Sequence, residues 1–449
     1  MTPTRYTTRR RLLQGTAALG AATLVLPGKA PAQGGARPLA GVTLNVATFS
    51  APFPKFLVEI LPEFEAATGA KVNFETPAFP IYNQRVDLEL STGGSAYDVL
   101  NITFIYSSRW IGAGWFTPLD AFIRDPGKTA ADFDIEDFLP GLRKVESDRT
   151  GRLYGVPWTV DTYIAGAARH DLIRAAGLDL PDDFDQLVTV LKAVHGKDGA
   201  AGFIAENHYG WSFIPYLQGF GGGVFRDPPN DLTPVLDTPE AVHAAEYFVR
   251  LLREFGPEGV LSYANDQILQ ILKAGRVAYT TNGQTYVTPI ADPGSRTATT
   301  AAFDLTPKGP AGRFPGVATH GLGIPAGSKN KDAAWQFIQW ATAKERIYRA
   351  VVERGYSAPT RRSVIDTPEF RQRMVLNGYD VAKVVLDTVD LAARQGHMKY
   401  RTIHVYPQVD KQIDKAIQLI ASGQLSAREA MRQAQVGSIA DLKRNGVRV

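Results

Sequence analysis

The chain has 449 residues, of which 44% are hydrophobic and 21% charged, and it contains no cysteine. Without cysteine there are no disulfides, no thiolate metal sites, no catalytic thiol and no cysteine-linked lipid anchor. Its formal charge of +4 is a property of the first 32 residues, because Arg5, Arg9, Arg10, Arg11 and Lys29 lie there and no acid does; the remainder carries 44 basic and 45 acidic residues, net −1. A near-neutral remainder argues against nucleic acid, which is bound by clustered Lys and Arg.

In chain order, Thr8-Arg9-Arg10-Arg11-Leu12-Leu13 matches a twin-arginine export signal. An apolar run from Leu12 to Leu26 follows, too short to span a bilayer, and Ala30-Pro31-Ala32 fits a signal-peptidase site. Residues 1–32 are therefore expected to be removed, leaving an exported protein that diffuses freely in a periplasm. The remaining 417 residues exceed one hydrophobic core and predict two domains.

Val42-Thr43-Leu44-Asn45-Val46 alternates as a half-buried strand, and Phe56, Leu57, Ile60, Leu61 and Phe64 then recur at helical spacing. Gly69 ends that helix, Lys71–Phe74 reads as a second strand, 84–90 as a helix and Asp98–Ile102 as a third strand. This alternation predicts an α/β domain with a largely parallel sheet. Further on, Thr238-Pro239-Glu240 and Thr367-Pro368-Glu369 place a capping hydroxyl before a proline at a helix start, and Ser426 with Glu429 predicts a capping box. Trp335 and Ile338, and Ile413, Ile417 and Ile420, form apolar stripes expected to pack in cores.

Several segments in order carry a resemblance: Phe64-Glu65-Ala66-Ala67-Thr68-Gly69-Ala70-Lys71-Val72, Tyr97-Asp98-Val99, Ala113–Asp120, Tyr154-Gly155-Val156-Pro157-Trp158, Leu272–Ala278, Asn282-Gly283, Gly321–Pro325, and Arg354–Pro359 before Arg361. Together they resemble the extracellular solute-binding proteins of ABC importers, in the carbohydrate-binding branch typified by maltose-binding protein. The resemblance implies an α/β, two-lobed periplasmic binding protein fold (type II) with the ligand cleft between the lobes. It implies an N-terminal lobe of 41–158 plus 316–356 and a C-terminal lobe of 159–315 plus 357–449, with crossings near Pro157–Asp161, 314–316 and Tyr356. The partners implied are a carbohydrate or polyol ligand and an inner-membrane permease with ATPase subunits; the protein itself is expected to be a monomer without cofactor or metal.

A sugar presents hydroxyls to hydrogen-bonding groups and C–H faces to aromatic rings, so a site needs both. Trp158, Tyr163, Tyr209, Trp211, Tyr286 and Tyr356 are the aromatic candidates. By resemblance, Asp161 stands where a sugar-binding carboxylate occurs. Asn282, Gln284, Thr319 and His320 are further polar candidates, and each of these residues also has a core or capping reading. Ile102–Tyr106 and Thr48–Phe53 lack the acids the resemblance leads one to expect, which points away from maltose toward another sugar, a polyol or a partly apolar glycoside. Arg354, Arg361 and His320 open a competing reading, an anionic solute such as a sugar acid or phosphorylated polyol, against salt bridges as the alternative use of the arginines.

The rival from another class is an exported carbohydrate-active enzyme. Gly219-Phe220-Gly221-Gly222-Gly223 breaks the G-x-G-x-x-G pattern at Val224, the seven histidines form no H-E-x-x-H, and no G-x-S-x-G is present. Tyr279 and Tyr286 alone do not make an iron-binding tyrosine cluster. No catalysis is expected.

Overall fold

The computed structural model describes residues 37–281, 283, 286–395 and 403–449; the export signal and the candidates Asn282 and Gln284 lie outside them. The strands are β1 (Thr43–Ala47), β2 (Lys71–Glu75), β3 (Val99–Thr103), β4 (Gly155–Thr162), β5 (Ala165–Ala167), β6 (Ala201–Ile204), β7 (Phe225–Asp227), β8 (Asp231–Pro234), β9 (Val277–Thr280), β10 (Ala302–Asp304), β11 (Val317–Gly323), β12 (Val375–Leu376) and β13 (Tyr379–Asp380). Two main sheets result, ordered β2-β1-β3-β11-β4 and β10-β5-β9-β6.

The first β-α-β-α-β run forms as its periodicity predicts, with β1 parallel to both β2 and β3. Helices α1 (Pro52–Thr68) and α2 (Phe79–Ser91) make the crossovers, and α1 ends on Gly69 at φ 80°, a left-handed position suited to glycine. The sheet is mixed rather than largely parallel, however. β11 returns from the far end of the chain and runs antiparallel to β3 and β4. A strand arriving from the other half in this direction pairs without a covering crossover helix, and alternation near the N-terminus carries no trace of it.

β4 ends in the first sheet and β5 begins in the second, so the chain crosses at Tyr163-Ile164, just past the expected segment. Around the expected third crossing at Tyr356 the chain touches both halves: a Cβ at Gly355 would meet the Thr288 side chain at 3.0 Å. Thr360 still bonds the Pro157 carbonyl, Leu139 N–H donates to Thr360, and Arg373 reaches Val352 on the first half. Asn377 donates to the carbonyls of Ala298 and Ala301 on the second.

Thr238 and Thr367 cap their helices through backbone N–H groups three residues on, as does Ser426. The capping box at Ser426 is only half formed: the Glu429 carboxylate turns outward to Arg432 and Gln433, where a guanidinium offers a charge-assisted bond. Trp335 is fully buried and donates to Thr129.

One core acid stands out. Glu146 is completely buried, and neither carboxyl oxygen has a hydrogen-bond partner among the described residues. It lies so close to β11 and β4 that a Cβ at Gly321 or Gly155 would meet its carboxyl group at 2.5 and 2.7 Å. Burial pushes its pKa well above the ordinary 4.5, so the folded protein holds it as a neutral acid. The unfolded chain loses that proton above about pH 4.5, and stability from this group is therefore lost as pH rises toward the folded pKa. Glu146→Gln is expected to stabilise the protein by about 1–3 kcal/mol at pH 8 and by less at pH 5. Thermal unfolding at the two pH values checks this, and an equal gain at both contradicts it.

Candidate functional site

The carboxyl-terminal ends of β1 and β3 deliver Phe49 and Phe104, and Phe79 begins α2. These three rings surround His320 of β11, at centroid distances of 4.6, 5.5 and 6.0 Å for Phe49, Phe104 and Phe79. His320 is 3% exposed and its Nδ1 has no partner among the described residues. Burial among these rings depresses its pKa to about 3, so the imidazole is neutral at physiological pH.

The polar groups come from the end of β4, the crossing and the segment after β6. Asp161 lies one residue before the end of β4, opposite Ala318, and Tyr163 follows at the crossing, where its N–H bonds the Gly316 carbonyl. Glu206 follows β6 by two residues, and its carboxylate accepts the Tyr163 hydroxyl at 3.5 Å. The short helix Tyr209–Ser212 carries Trp211 and is fastened by the Ser212 hydroxyl, which donates to the Glu206 carbonyl at 2.8 Å. Burial, and then the nearby Glu206 charge, lift Asp161 to about 6. The buried Tyr286 phenol is raised well above its ordinary value by burial first, with Glu206 and Asp161 among the charges that face it.

The two sets meet across the lobe junction. Phe104 lies 4.9 Å from Trp211, and Trp211 stands edge-on to Tyr163 at 4.8 Å. Rings from both sheets thus form one wall beside a pair of carboxylates. Ionised carboxylates accept hydroxyl donors, while the rings offer surface to C–H faces.

The remaining candidates fall elsewhere. Trp158 is 1% exposed, donates to Asn101 at 3.2 Å and packs on Phe53 of α1, which Tyr356 also touches. Both belong to a support layer around α1. Tyr209 packs on Phe248 in the second core. Thr319 is fully buried, with its hydroxyl unpartnered among the described residues.

Arg361 is a correction. It is 2% exposed, donates to the carbonyls of Thr342 and Asp134, pairs with Asp137 at 3.1 Å and lies 3.9 Å over the Phe138 ring. A guanidinium with these partners pins the first lobe. Arg354 pairs with Glu59 at 2.7 Å. With His320 neutral and two acids in the site, the three groups that raised the anionic reading no longer support it.

Sequence reasoning passed over Glu206, Phe49, Phe79 and Phe104. A signal existed for Glu206, an acid directly after the buried run Gly202–Ala205; for the phenylalanines only the fold brings them together. A separate cavity of about 1340 Å³, lined in part by Arg109, Gly141, Arg149, Ala393 and His404, contains neither Asp161, Glu206 nor Trp211.

Two lobes with their polar groups and rings gathered at the junction define a ligand-binding protein of the two-lobed periplasmic class. Residues 47–346 match the family model "Bacterial extracellular solute-binding protein", and the chain belongs to that family. It is 26% identical over 412 residues to the erythritol/L-threitol-binding protein of Mycolicibacterium smegmatis, covering 84% of this chain and 86% of that one. It is likewise 26% identical over 387 residues to the mannitol-binding protein of Pseudomonas aeruginosa, covering 82% and 85%. Among solved structures, a solute-binding protein of Agrobacterium radiobacter in complex with ribitol aligns with a TM-score of 0.78 at 24% identity, over 89% of this chain and 99% of that one.

Proposed function

We propose that this protein is the receptor of an ABC importer and that its ligand is a polyol or small sugar held between the lobes by Asp161, Glu206, Tyr163 and Trp211. The observation that carries the reading is the pairing of two acceptor carboxylates with an aromatic wall built from both lobes. The names of the polyol-binding relatives support the ligand class. Fewer acids and more phenylalanine on the first lobe's side suit a ligand with a hydrocarbon backbone exposed along one edge. In this reading the mature protein is monomeric, is exported by the twin-arginine route without a lipid anchor, and performs no catalysis. Closure of the lobes, here taken as β1–β3 with β11 against β5–β10, reports occupancy to the permease and its ATPase subunits.

Titration with four- to six-carbon polyols, monosaccharides and maltose tests the proposal: saturable tryptophan quenching by polyols and no product formed is the expected result. Failure of every polyol and sugar to shift fluorescence or thermal stability refutes it, and turnover of any of them refutes the non-enzymatic reading.

Affinity should also depend on pH. Hydroxyl donors favour the ionised form of Asp161, whose ligand-free pKa of about 6 leaves it mostly protonated at pH 5. Polyol binding is therefore expected to be about tenfold weaker at pH 5 than at pH 7.5. Asp161→Asn should bind more weakly at pH 7.5 and lose most of that dependence, as calorimetry at the two pH values would reveal; an unchanged slope in the variant would remove Asp161 from the site.

A further inference from the structure

We propose that His208, Asp410 and Asp414 form a binding site for one divalent cation of the imidazole-and-carboxylate class, such as Zn²⁺, behind the helix that carries Trp211. Asp410 and Asp414 are four residues apart on the helix Tyr406–Ala421 and so share one face, while His208 immediately precedes the helix Tyr209–Ser212. One ligand atom from each of the three lies within 4.8 Å of the other two, a span that metal–ligand distances of about 2.0–2.2 Å close with small side-chain rotations.

A second observation points the same way. Asp410 is 9% exposed, yet its Oδ1 is buried with no hydrogen-bond partner among the described residues, an uncommon state for a carboxylate. The backbone is shaped to keep it there. A Cβ at residue 210 would lie 1.6 Å from that oxygen, so only glycine fits, and the Gly210 N–H holds Asp414 Oδ1 at 2.8 Å. The site is thus set by backbone geometry as well as by side-chain charge.

The donor set selects the cation. Two carboxylates and a neutral imidazole carry charge −2, which a divalent ion neutralises, and imidazole ligation favours Zn²⁺, Co²⁺ or Ni²⁺ over Mg²⁺ and Ca²⁺. Without the ion, His208 Nε2 and Asp410 Oδ2 share a proton at 3.0 Å. Coordination through Nε2 replaces that proton, which leaves to solvent. The bound ion fastens the helix Tyr209–Ser212 to Tyr406–Ala421, reinforcing the bond from the Tyr406 hydroxyl to the Gly210 carbonyl.

The test uses tag-free mature protein dialysed against a chelator and titrated calorimetrically with Zn²⁺, with Co²⁺ absorption as a second probe. One Zn²⁺ per chain, a rise in melting temperature, visible Co²⁺ bands and at least thirtyfold weaker binding in both His208→Gln and Asp414→Asn are expected. Asp414→Asn keeps an oxygen for the Gly210 N–H, so it tests ligation apart from folding. Absence of stoichiometric Zn²⁺ binding, or equal affinity in the wild type and either variant, overturns the site. No polyol enters the experiment, so its outcome is independent of the proposed transport ligand.

Discussion

Trp211→Ala is expected to weaken polyol binding by about 2–4 kcal/mol, roughly 30- to 1000-fold, in addition to the stability lost with a buried ring. The indole is 7% exposed and closes the ring wall between Phe104 and Tyr163, so its removal strips the ligand's apolar edge and opens the junction to water. Its helix is held independently, by Ser212 on the Glu206 carbonyl and by Tyr406 on Gly210, and should survive the truncation. Trp158→Ala makes the contrast. That indole is packed behind the site on Phe53 and Asn101, so its loss should lower stability by about 3–5 kcal/mol. Calorimetric affinities set beside denaturant unfolding separate the two. Unchanged affinity in Trp211→Ala would remove this residue from the ligand.

The second large effect is on folding. Arg361→Ala should destabilise the protein by about 3–5 kcal/mol, because it leaves Asp137 facing a vacated site and frees the Asp134 and Thr342 carbonyls that the guanidinium now satisfies. Against the opposing effect of burial, the Ser363 hydroxyl and N–H and then Arg361 hold the Asp137 carboxyl below its ordinary pKa. Arg361→Lys should recover only part of the loss, since an ammonium cannot serve all three acceptors in the plane of the Phe138 contact. Urea unfolding reads the outcome, and a wild-type midpoint for Arg361→Ala would mean the ion pair contributes nothing. Ligand affinity of the folded fraction should be near wild type, in keeping with its distance from the aromatic wall.

Much of the fold is legible because it follows from local periodicity. The alternation of 42–102 yields β1 to β3 with their crossovers, and the hydroxyl-plus-proline starts at Thr238 and Thr367 yield their helices. What local pattern does not carry is pairing at a distance. Nothing in 317–323 says that this segment inserts antiparallel between β3 and β4.

The site divides along the same line. Of the proposed site, Asp161, Tyr163 and Trp211 are within reach of sequence because they sit in segments with a recognisable order. Glu206 was one acid among 45, and only β6 aims it at Tyr163. The phenylalanines read as missing polar groups, and their use as a wall around a neutral His320 appears only once β1, β3 and β11 are side by side. Of the two uses weighed for Arg361, the structure has the salt bridge. A basic residue after a family-like turn suggests anion binding, but its partners at 134, 137 and 342 come from elements more than ten residues away along the chain.

The most direct measurement is a crystal structure of the protein soaked with mannitol or erythritol. Density for the polyol should lie beside Trp211 and Tyr163, with hydroxyls within about 3 Å of the Asp161 and Glu206 carboxylates. Density confined to the basic cavity around Arg149 and His404, with the aromatic junction unoccupied, would contradict the account.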